Sequence, residues 1–107
     1  MSLPENVEPE ILPAADCHSM ADIRQAIDAI DRSLVKLMAQ RQTYVERAAV
    51  VKPARSAVHD AARIEDVVRK VLAAANAENL SPCIAEPVWR LLIERSIAHE
   101  FAAFDAR

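Results

Sequence analysis

From residue 23 onward, apolar side chains recur in alternating steps of four and three, at Ile23, Ile27, Ile30, Leu34 and Leu37. The same rhythm passes through position 41 to Tyr44, Ala48 and Val51. Such spacing lines one face of an α-helix. Ser19-Met-Ala-Asp22 in front of it has the form of a capping box with Asp in the third helical position. Pro53 disfavours helical geometry at the residue before it and so ends the run. Roughly 32 residues at 1.5 Å rise predict a rod about 48 Å long.

Two further helices follow. Asp60 is placed to N-cap one that runs to roughly Asn79, burying Ile64, Val67, Val68, Val71, Leu72 and Ala75. Ser81-Pro82 opens the other, with serine as cap and proline at the first helical position. Its apolar members are Ile84, Val88, Trp89, Leu92, Ile93, Ile97 and Phe101. Pro87 has no N–H to give the carbonyl four residues back, so this helix either begins nearer residue 85 or is kinked. Residues 1–17 hold three of the 6 prolines and read as a flexible tail ahead of a single domain over 18–107. The expected fold is all-α, a three-helix chain with one long N-terminal helix.

The first helix is too long for its own chain. A compact domain of this size has a radius of gyration near ~13 Å, and two shorter helices cannot cover the whole apolar stripe. Heptad-like spacing points to pairing with a second copy, a homodimer.

Composition narrows the function. There is no glycine in the 107 residues, which removes phosphate-cradling loops, dinucleotide fingerprints and tight primed hairpins. The chain is 52% hydrophobic and 27% charged with a net charge of −3. It is therefore a folded protein without the basic field that attracts nucleic acid. Cys17 and Cys83 lack CxxC spacing and His18, His59 and His99 lack metal-ligand spacing, so no metal is expected. No stretch is apolar and long enough to cross a bilayer, and the N-terminal segment has no signal-peptide pattern, which together predict a cytoplasmic protein.

Polar residues interrupt the apolar faces. Position 41 is a core position by spacing, yet it holds Arg41, and a buried guanidinium needs an anion or an aqueous cavity. Lys52 lies about three turns further along nearly the same face. Arg24 is roughly 25 Å from Arg41 along the rod, and in an antiparallel pair of chains it can approach Arg41 of the partner. On the third helix, Trp89, Ile93, Ser96, Glu100 and Phe104 share a face that includes two polar members. Arg63, in the first turn of the second helix, adds a fourth cation. Pairing with the protein's own carboxylates, or reaching out to water, is the competing reading of each.

In order and separation, ADIRQAIDAID (21–31), LMAQRQTYVERAAVVK (37–52), VHDAARIEDVV (58–68) and IERSIAHEF (93–101) resemble the all-helical class of chorismate mutases. The resemblance extends to the branch that includes isochorismate-pyruvate lyase and covers about residues 17–105. It implies an intertwined homodimer with two shared active sites, no cofactor, and chorismate or isochorismate as substrate. Arg24 of the partner and Arg41 would hold one carboxylate and Arg63 the other carboxylate region. Asp60 would meet the ring hydroxyl, Ser96 would line the site, and Lys52 and Glu100 would flank the ether oxygen.

Conversion of chorismate to prephenate is pericyclic and needs neither nucleophile nor base. Arginine forks hold a flexible dianion in a reactive geometry, and donors at the ether oxygen stabilise growing negative charge. Two positions depart from the family pattern. Many members have glutamine where this chain has Glu100, and a carboxyl donates only when protonated, so the rate should fall as pH rises. Ile64 stands where typical mutases place a glutamate, which is reminiscent of the lyase, whereas Ser96 points to the mutase. Chorismate mutase is the leading reading and isochorismate-pyruvate lyase the close alternative. A non-catalytic helical dimer module is the distant one. The 53–59 loop, PARSAVH, is a candidate to close over the site.

Overall fold

The computed structural model describes residues 11–107. Most of the expected N-terminal tail, residues 1–10, therefore lies outside the described residues. Among those described, the elements are all helical: α1 (Met20–Val51), α2 (Ala61–Ala77) and α3 (Pro82–Asp105), with single 3₁₀ turns at Ala14–Asp16 and Arg55–Ala57. The all-α, three-helix architecture read from the sequence is the one observed.

The helix ends show why the boundaries fall where they do. Before α1, the Asp22 N–H donates to Ser19 Oγ at 3.1 Å while Asp22 Oδ2 accepts from the His18 N–H at 3.2 Å. Two orphan donors are thus satisfied at once, in the manner of a capping box. Asp60 caps α2 by accepting from the Arg63 N–H at 3.1 Å. Its far end needs a left-handed residue, and with no glycine available Asn79 takes it, at φ 59°. The Leu80 N–H then donates back to Ala75 O at 2.8 Å and the Asn79 N–H to Asn76 O at 3.4 Å, completing a Schellman motif. Ser81 caps α3 by accepting from the Cys83 N–H at 3.2 Å. The helix starts at Pro82 and runs on through Pro87, so a start nearer residue 85 is excluded.

The chain divides into two compact units, residues 1–43 and 44–107. In the first, α1 presents Ile23, Ile27, Ile30, Leu34 and Leu37 at 38–50% exposure, and among the described residues of that unit only the small Ala29 is buried. The second has its own core. Here α2 packs on α3, and the buried residues are Ala49, Val58, Val68, Ala75, Ala85, Ile93 and Glu100. Three of the apolar six are alanines, which allow close approach of helix backbones at the cost of a thin core. Glu65 reinforces the packing by accepting from Arg90 through both oxygens, at 3.2 and 3.1 Å. That contact holds the Glu65 carboxyl below the usual carboxylate range. No helix among the described residues is long and apolar enough to cross a membrane.

Candidate active site

Glu100 is the buried charged side chain of the described core, 7% exposed. Its register on α3, one turn after Ser96 and two after Ile93, turns it inward by the same spacing that buries Ile93. A buried carboxylate requires a partner, and Lys52 supplies it: Nζ donates to Glu100 Oε2 at 2.6 Å. Lys52 is the first residue past α1, and its side chain is 30% exposed against 9% for Glu100. The pair therefore faces solvent through the lysine and the protein interior through the glutamate. Geometry assigns Glu100 the acceptor role in this state, whereas the sequence reading had it donating when protonated.

The loop after Lys52 is tied to α3 at several points. Arg55 Nε donates to Asp105 Oδ1 at 2.9 Å, and its guanidinium lies 4.4 Å over the Phe101 ring. The bond to Asp105 raises the Arg55 pKa. His99 Nε2 contacts Glu46 Oε2 at 2.7 Å across α3 and the end of α1. Arg107, just past α3, donates to the carbonyls of Ala49 at 3.1 Å, Val50 at 3.4 Å and Lys52 at 2.7 Å.

The remaining expected site residues fall as follows. Ser96 is part-buried on α3, one turn before Glu100. The Asp60 carboxylate is engaged in capping α2. Arg63 Nη1 donates to Asp66 Oδ2 at 2.8 Å, and Asp66 also meets Arg69 at 2.6 Å and Lys70 at 2.9 Å. These three cations, Lys70 and Arg69 foremost, hold the Asp66 carboxyl at a pKa of about 2. Arg24 is exposed and Arg41 part-buried, both on α1 within the first unit. The helix rise puts them roughly 25 Å apart, too far for one small ligand to bridge. One shallow pocket, with about 180 Å³ of open space, is lined by His59, Ile64, Arg90, Ile93, Glu94 and Ile97.

Sequence reasoning placed Lys52 and Glu100 side by side, and they are in contact here; it did not single out Arg55, Arg107 or the Glu46–His99 contact. The Arg107 contacts span 55–58 residues, and helical periodicity carries no signal over such separations. Pro53 was the legible hint, because a proline there deprives Ala49 O of its helical donor.

Fold and site together define an all-helical protein in which an ammonium is directed at a buried carboxyl. Residues 23–101 match the model of the chorismate mutase type II family, and the chain belongs to that family. Isochorismate pyruvate lyase of Pseudomonas aeruginosa is 29% identical over 85 residues, covering 79% of this chain and 84% of the relative. No solved structure matches the chain at a significant level. Membership places the protein among enzymes of the mutase and lyase group, whose substrates are small molecules such as chorismate or isochorismate.

Proposed function

We propose that this protein is a chorismate mutase that converts chorismate to prephenate as an intertwined homodimer in the cytoplasm. The observation that carries the reading is the Lys52–Glu100 contact at 2.6 Å, with Glu100 buried and Lys52 partly open to solvent. Here the ether C–O bond breaks as the new C–C bond forms. The enzyme's task is to hold the reactive conformer and stabilise charge on the ether oxygen. Lys52 is the donor to that oxygen, and Glu100 joins it when protonated. Without substrate, Glu100 accepts from Lys52.

Arg41 and the partner's Arg24 hold one substrate carboxylate, and Arg63 turns from Asp66 to meet the other. Asp60 contacts the ring hydroxyl through its backbone, which leaves its cap intact. Ser96 lines the wall. The exposed stripe Ile23, Ile27, Ile30, Leu34 and Leu37 supports the dimer, since a second copy would cover it.

Isochorismate-pyruvate lyase activity is the second reading, favoured by the named relative and by the apolar Ile64. Incubating the protein with each substrate separates the two. Prephenate from chorismate is the expected product. Salicylate and pyruvate from isochorismate, with no prephenate, would establish the lyase instead. Lys52→Ala should lower kcat about 10²–10³-fold with a smaller change in KM. An unchanged rate for that variant would remove Lys52 from the mechanism, and unchanged rates for Arg41→Ala as well would favour a non-catalytic dimer.

A further inference from the structure

We propose that Arg107 is a positioning residue for Lys52, acting as the missing C-cap of α1; this rests on Lys52 being the donor of the reaction. Residue 53 is proline, so the carbonyl of Ala49 has no N–H four residues on. Water cannot replace that donor, because Ala49 is 0% exposed, and an unsatisfied buried carbonyl is costly. Nor does the last turn of α1 carry a basic residue of its own to oppose the helix dipole.

Arg107 answers both needs. Its Nη1 reaches Ala49 O at 3.1 Å and Lys52 O at 2.7 Å, with a longer contact to Val50 O at 3.4 Å. The guanidinium lies 3.5 Å over the Phe104 ring, which restricts its rotamers. Lys52 is consequently gripped at two points from the end of α3: its carbonyl by Arg107 and its ammonium by Glu100. When substrate displaces the Glu100 contact, the backbone grip remains, and it sets where Nζ arrives. Displacements of about 1 Å in such groups lower rates by up to ~10²-fold.

The test compares Arg107→Ala, Arg107→Lys, Lys52→Ala and the double variant in the full chain, each assayed well below its own Tm. Arg107→Ala should lower kcat about tenfold with KM changed less than about twofold. Arg107→Lys, still a cationic donor to carbonyls, should recover part of the loss. In the Lys52→Ala background, Arg107→Ala should cost nothing further, because its effect passes through Lys52. A kcat equal to wild type, or a full tenfold loss on top of Lys52→Ala, would overturn the proposal.

A second readout needs no turnover. The carboxyl-carbon NMR signal of Glu100 should move in Arg107→Ala toward its position in Lys52→Ala, and an unmoved signal overturns the proposal. Arg107→Gln, too short to reach both carbonyls, takes the place of Arg107→Ala in this measurement if the alanine variant does not fold. Absence of turnover in the wild-type protein, with the NMR shift present, would refute the proposed function and leave the role of Arg107 standing.

Discussion

The two units of the chain solve the problem of burial in opposite ways. Residues 44–107 satisfy themselves: α2 and α3 pack together, the sole buried charge among the described residues is paired, and the helix ends are closed by side-chain caps, by backbone turns or by Arg107. The described part of residues 1–43 does not, for its evenly spaced isoleucines and leucines stay 38–50% exposed along α1. A regular apolar stripe of this kind is what the proposed dimer would cover. The proposed site divides along the same line. Lys52 and Glu100 are brought together within one chain, while Arg24 and Arg41, on the open helix, stand too far apart to share a small ligand.

The largest effect therefore comes from separating those two contributions. Arg24→Ala and Lys52→Ala should each lose about 10²-fold or more in activity as pure proteins. After unfolding and refolding together, the mixture should regain about a quarter of wild-type activity, from hybrid dimers that contain one intact site. No recovery would place Arg24 outside a shared site. Gel filtration of Leu34→Glu, which puts a charge into the stripe, should show a smaller species that fails to complement.

A smaller effect probes the self-contained half. Glu100→Gln puts an amide donor in place of the carboxyl. If the group at position 100 donates to the ether oxygen, Glu100→Gln should keep or raise kcat, whereas Glu100→Ala should lower it about 10–10²-fold. A loss in Glu100→Gln as large as in Glu100→Ala would leave Lys52 as the sole donor, with Glu100 holding it in place. Charged groups on the same stretches of chain are paired with each other, Glu46 with His99 and Arg55 with Asp105.

What could be read in the sequence was what depends on local order. The 4–3 spacing gave α1 its face, Ser19, Asp60 and Ser81 marked three helix starts, and the polar Glu100 in a core register marked the buried site. Pro87 was ambiguous because a proline's penalty inside a helix depends on what else satisfies the freed carbonyl, which is a tertiary matter. Arg63 was read as a fourth cation for the ligand, with pairing to the protein's own carboxylates as the competing reading, and the Asp66 carboxylate three residues on, which also gathers Arg69 and Lys70, holds it in this state. Arg55 and Arg107 were illegible because their partners lie 50–58 residues away. Only the folded chain sets those distances.

The smallest effect tests whether Asp60 serves the fold or the ligand. Its carboxylate accepts from the Arg63 N–H at 3.1 Å and so satisfies one of the orphan donors at the start of α2. Asp60→Ala removes that acceptor and should cost about 1 kcal/mol, lowering Tm by roughly 4–8 °C for a domain of this size. Asp60→Asn keeps a capping oxygen and should recover most of the stability. If the substrate hydroxyl meets only the backbone at this position, kcat and KM should stay within about twofold of wild type in both variants. A KM raised more than about tenfold in both, with Tm restored in Asp60→Asn, would instead put the carboxylate itself on the ligand and require the cap to open on binding. Because the change lies in the unit that satisfies itself, the loss should register in thermal unfolding with no change of elution in gel filtration.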